Sequence, residues 1–117
     1  MIELDGSQKV VENYVVACID RGLSVLGEGV KVATLWHIEN TYNIKAHEVI
    51  NEPDKFVNAL NQMFGNASKV LTMLIAKEIK KTFGDIDGDD FTEMMEELKR
   101  EDPANLAARL VEQQISI

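Results

Sequence analysis

Apolar side chains recur along this chain at intervals of three and four residues, the repeat that gathers them on one face of a helix. Between residues 8 and 26 they fall at Val11, Tyr14, Val15, Cys18 and Ile19, which predicts a first helix with Ser7 as its N-cap. Gly22 lowers helix propensity in that segment, so a bend or break is expected there, and Gly27 and Gly29 end it. A second helix is expected from Val30 to about Tyr42, with Val32, Leu35, Trp36 and Ile38 forming a broad buried face. Residues 43–50 read as a connection anchored by Ile44 and Val49.

Pro53 suits the first turn of a helix. A third helix therefore runs from there to Phe64, carrying Phe56, Val57, Leu60, Met63 and Phe64 before Gly65 stops it. The fourth helix has the strongest pattern: Ser68 can cap it, Val70, Leu71, Leu74, Ile75, Ile79 and Phe83 line one side, and Gly84 closes it. Lys77, Lys80 and Lys81 lie towards its C-terminal end, where positive charge complements the helix dipole. Asp90 and Glu93 have capping-box spacing, with Asp in the place of Ser or Thr. They open a fifth helix over Phe91 to Arg100, with Phe91, Met94, Met95 and Leu98 on one side. Asp102-Pro103 repeats the cap-and-first-turn pattern for a sixth helix with Leu106, Leu110 and Val111; the last residues are expected to fray.

Composition agrees with this pattern. The chain has 117 residues, the size of one compact domain, and 45% of them are hydrophobic, enough to build a core. Two prolines, seven glycines and 6% aromatics are a poor supply for the turns and strands of a small sheet protein. The expected fold is all-α, a compact bundle of five or six helices, with helices two, three and four at its centre. Residues 1–84 form the helical core domain. Residues 85–117 form an acidic linker and a C-terminal helical extension packed on or beside it.

Charge sharpens the division. The net charge is -8, yet residues 1–83 hold ten acids against nine bases, whereas residues 84–117 hold ten against three. A nucleic-acid binder shows a basic stripe, and here Lys69, Lys77, Lys80 and Lys81 are the only cluster, so nucleic acid is disfavoured as a partner. Apolar runs are too short to span a bilayer and no signal-peptide pattern opens the chain, which makes a cytoplasmic location the simplest expectation. The single cysteine, Cys18, allows no intramolecular disulfide or multi-cysteine zinc site and reads as a small buried hydrophobe.

The candidate chemistry is sparse. From Asp85 to Glu96 the residues DIDGDDFTEMME put carboxylates at positions 1, 3, 5, 9 and 12 of a calcium loop, namely Asp85, Asp87, Asp89, Glu93 and Glu96. Against that reading, the sixth position is Asp90 where a glycine makes the sharp turn, and the eighth, normally apolar, is Thr92. A solvated acidic turn that caps a helix competes with it. The two histidines, His37 and His47, lack the helical four-residue spacing of a zinc pair and the later Pro-Cys-x-x-Cys of the nucleobase deaminases. A site assembled from His37, Glu39 and His47 would require the fold to join them. Phosphate-loop and nucleophile-elbow motifs are missing, and the sequence implies no cofactor.

Residues 19–84 resemble a small archaeal all-helical domain that occurs alone and as a terminal output module of signalling proteins. The likeness is carried by IDRGLSVLGEGVKVATLWHIENTYNI, by the Glu52-Pro53 helix start, and by FVNALNQMFGNASKVLTMLIAKEI. It implies an all-helical module in a signalling or regulatory setting and brings no catalytic residues; the acidic segment from Asp85 onward lies outside it.

The first functional expectation is thus a non-catalytic protein-interaction or regulatory module, a homodimer or one partnered by another protein. Leu71, Leu74, Ile75, Met94 and Met95 are its expected contact residues, since the fourth helix is broadly apolar and methionines make adaptable surfaces. The acidic tail would dock on Lys69, Lys77, Lys80 and Lys81, within a chain or across a dimer. A calcium- or other metal-binding module and an enzyme with a site near His37 and His47 are the second and third readings.

Overall fold

The computed structural model describes residues 2–84 and 86–115, with side chains described from residue 6 to residue 112 apart from position 85. Among them six α-helices form and no strand: α1 Ile2–Leu23, α2 Glu28–Thr41, α3 Pro53–Phe64, α4 Ser68–Phe83, α5 Phe91–Arg100 and α6 Pro103–Ile115. The protein is an all-α bundle. Its Cα radius of gyration is 14.0 Å, close to the roughly 13 Å expected of a compact chain of this length.

Several boundaries follow from local chemistry. Pro53 opens α3, because its fixed φ suits the first turn and its missing N–H is an orphan there anyway. Gly84 takes φ 82° and its N–H returns to the Lys80 carbonyl at 2.9 Å, a left-handed exit that disfavours any residue with a Cβ. Asp90 caps α5: its Oδ1 accepts from the Glu93 N–H at 2.9 Å, while Glu93 Oε1 accepts from the Asp89 N–H at 2.8 Å. This is a capping box with its return bond shifted one residue upstream.

Two expected caps are not caps. Helix α1 begins at Ile2, so Ser7 lies inside it. Ser68 is the first residue of α4, and its buried hydroxyl donates to Asn61 Oδ1 of α3 rather than to its own helix end. Nor does α1 break at Gly22; it continues to Leu23. That glycine is buried where α1 crosses α4, and a Cβ built on it would lie 2.8 Å from both N and Cα of Ile75.

This crossing sets the centre of the bundle, which is α1 and α4 rather than helices two to four. Helix α1 buries Val11, Val15, Cys18, Ile19 and Leu23 against Leu71, Ile75, Ala76, Ile79 and Phe83 of α4. Helix α3 adds Phe56, Ala59 and Leu60, and the 43–50 connection is pinned by Ile44, Val49 and Ile50. The acidic C-terminal third enters the same core. Ile86, Phe91, Met94, Met95, Leu98, Leu106 and Leu110 join one continuous buried cluster with α1, α3 and α4. The ring of Phe91 lies 5.6 Å from that of Phe56, within the range of favourable aromatic pairs. No helix among the described residues is long and apolar enough to cross a membrane.

Candidate functional site

Helix α2 is built inside out. Its buried residues are Lys31, Thr34 and Ile38, while Val30, Val32, Ala33 and Trp36 face solvent. Trp36 is 63% exposed and Val32 55%. The broad buried face expected of Val32, Leu35, Trp36 and Ile38 is therefore corrected: Ile38 is buried, Leu35 is half-buried, and Val32 and Trp36 are outside. A polar anchor accompanies this arrangement. Lys31 Nζ lies 3.0 Å from Asp20 Oδ1 at the end of α1 and 3.1 Å from Glu28 Oε1 one turn back. The Lys31 side chain is only 7% exposed, yet both carboxylates stand in solvent. Its stem is enclosed and its ammonium emerges at the rim. The bonds to Asp20, then Glu28, raise the lysine's pKa above its usual value. With Lys31 held inwards, the helix period turns Val32 and Trp36 out.

Beside this face runs a shallow groove between α2 and the end of α3, lined by Gly29, Val30, Ala33, Thr34, His37, Met63 and Phe64. It is largely apolar and no carboxylate lines it. His37 is half-buried there, its Nδ1 3.3 Å from Thr41 Oγ1 and its ring edge-on to Tyr42 at 5.9 Å. His47 is exposed and lines a separate polar depression with Gln8, Lys9, Glu12 and Asn13. The two histidines thus line different depressions. Glu39 is exposed on α2 and lines neither.

Of the calcium-loop residues, Asp85 lies outside the described residues. Asp87, Glu93 and Glu96 border one open depression, together with Glu97 and Arg100. Glu93 is committed to the capping box, and Asp90, at the loop's sixth position, is the helix cap. Among the described residues no three side chains of His, Cys, Asp or Glu come together as a metal site.

The expected contact residues need correction as well. Leu71, Ile75, Met94 and Met95 are all buried in the chain's own core, and Leu74 is half-buried. The apolar arc of α4 is wide because one side packs on α1 and α3, leaving only Val70 and Met73 exposed among its large apolar residues. Lys69, Lys77 and Lys80 are exposed, and among the described residues none of them forms an ion pair; Lys81 pairs only with Glu78 of its own helix, at 3.6 Å. Among the described residues, no acid of the C-terminal third forms an ion pair with these lysines.

A second polar contact clamps α1 to α4. Arg21 Nε donates to Glu78 Oε1 at 2.9 Å and its Nη2 to Thr82 Oγ1 at 3.0 Å. The Arg21 bond holds the Glu78 carboxyl below its usual pKa, and the same bond raises that of Arg21. Cys18 sits beneath, fully buried, its Sγ 3.3 Å from Thr82 Oγ1. Burial pushes its thiol pKa up, against the smaller opposing pull of Thr82 and Arg21. A thiol so placed holds little thiolate at neutral pH and packs as a small hydrophobe.

Among these helices, α2 carries the largest group of exposed large apolar side chains, Val30, Val32 and Trp36. Sequence reading missed it because apolar residues occur all round this helix. The available signal was Lys31, a cation on the side that had to face the core if Trp36 faced out. In comparison with known proteins, no family model, no curated protein and no solved structure matches the chain.

Proposed function

We propose that this protein is a non-catalytic protein-interaction module, regulatory in role, whose contact surface is the outer face of α2. The supporting observation is the inversion of that helix: it holds a lysine inwards and presents its tryptophan and valines to water. Apolar side chains scattered singly over a surface are ordinary, whereas a contiguous group marks a contact site. Trp is among the residues that most often dominate binding energy. A regulatory setting also accords with the resemblance of residues 19–84 to an output module. The single buried, unreactive cysteine suits a cytoplasmic location.

The test is a photoreactive phenylalanine analogue in place of Trp36, irradiated in cells, with the same analogue in place of Lys55 on α3 as control. Discrete adducts from position 36 and none from position 55 are expected. No adduct from position 36, or the same adducts from both positions, overturns the reading.

A further inference from the structure

We infer that the outer face of α2 receives a second copy of this chain, laid antiparallel along that copy's α4; this rests on the interaction reading above and names its partner. On α2, Glu28, Val32, Trp36 and Glu39 fall at i, i+4, i+8 and i+11, a single stripe. On α4, Lys69, Met73, Lys77 and Lys80 have the same spacing. All eight side chains are exposed. In each stripe the terminal charges are three turns apart, about 16.5 Å along the axis.

Run antiparallel, the stripes match in charge and in apolar content. Glu39 meets Lys69, Trp36 meets Met73, Val32 lies on the stem of Lys77, and Glu28 meets Lys80. Met73 is 57% exposed, and a thioether against an indole is a favourable contact. The ammonium of Lys77 comes within reach of the same indole face. Lys69, Lys77 and Lys80 form no ion pair with another described residue, and neither does Glu39. Glu28 shares one oxygen with Lys31 and keeps the other in solvent. The match cannot form within one chain, where both stripes face water. In the inferred dimer the two copies are related by a two-fold axis, so that each α2 lies on the other copy's α4 and the pairing is made twice.

The experiment uses the full chain and two variants, Glu39→Lys and Lys69→Glu, whose side chains form no hydrogen bond or ion pair among the described residues. The wild type is expected to reach twice its 13.1 kDa mass by light scattering at micromolar to millimolar concentration. The emission of Trp36, the only tryptophan, is expected to move to the blue as it does so. Each variant alone should dimerise more weakly, by about tenfold or more, since it sets like charges face to face twice. An equimolar mixture should regain the wild-type mass. In the mixed dimer one of the two contacts is the original Glu39–Lys69 pair, and the other is the same pair with its charges exchanged. Circular dichroism is the control that both variants are folded.

A monomer at millimolar concentration overturns the inference, as does a dimer whose Trp36 emission does not move, or a mixture that fails to recover. Mass growing without limit overturns the two-fold arrangement. Discrete cross-links from position 36 to a different protein, with the chain itself monomeric, overturn the second copy as occupant and leave the interaction reading standing. No cross-links at all remove both.

Discussion

Gly22 of α1 lies directly against the backbone of Ile75 of α4, so close that a methyl group on the glycine would stand 2.8 Å from the isoleucine's N and Cα. Real Cβ atoms do not tolerate that distance from backbone, so any side chain at position 22 forces the two central helices apart. Gly22→Ala is expected to destabilise the fold by about 1–3 kcal/mol, as overpacking does. In an exposed helix the same change stabilises by up to about 1 kcal/mol. Gly29→Ala, with nothing within 4 Å of its added carbon, is the control and should be neutral or slightly stabilising. Urea unfolding of both variants checks the sign.

The Arg21–Glu78 bond that ties the same two helices carries a pH signature. Glu78 has a lowered pKa in the folded chain, so the stability it contributes is fully present above its ordinary value of 4.5. It is lost as the pH falls through the lower folded value. Glu78→Gln should therefore be less stable than the wild type at neutral pH, by up to about 1 kcal/mol for so accessible a pair. The two unfolding curves should converge as the solution is taken well below pH 4.5. The raised values of Arg21 and Lys31 add stability that disappears only in strong alkali, outside that window.

Cys18 should be inert in the folded protein. Its thiol is completely buried and burial raises its pKa, so both access and thiolate fraction are low. A disulfide reagent at neutral pH is expected to label it only at the rate of unfolding, and rapidly once denaturant is added. Labelling at the rate of a free thiol in native buffer would contradict this placement.

The Asp90 cap can be weighed directly. Asp90→Ala removes the acceptor for the Glu93 N–H and should lower stability by about 0.5–2 kcal/mol; Asp90→Asn should recover most of it. Because Glu93 is held by the Asp89 N–H, millimolar calcium is expected to leave the unfolding midpoint of the wild type unchanged. A calcium-dependent rise would show that the loop rearranges to bind the ion.

Much of this architecture was readable in advance, for reasons that individual residues make plain. Pro53 and Gly65 bracket α3, Asp90 with Glu93 opens α5, and Gly84 ends α4; each acts through its own backbone geometry or one short-range bond. The anchors Ile44 and Val49 were equally legible, since two apolar residues in a polar connection have only the core to go to. The candidate surface was not. Both Met94 and Met95, read as contact residues, fill the core, and the solvent-facing apolar group lies on a helix expected to be central.

What the amino-acid sequence determines here by itself is therefore local: that the chain is helical, where most helices begin and end, and that acidity gathers in the last third. Those properties rest on propensity, capping and composition, which act over a few residues. Which helices form the centre, and which side of α2 meets water, was decided by tertiary structure. Helix α2 carries apolar residues round most of its circumference, so periodicity alone assigns it no inner face. Two contacts between helices go with that choice. Gly22 lets α1 and α4 close on each other and claim the core, and Asp20 draws Lys31 inwards, which turns Trp36 to the outside.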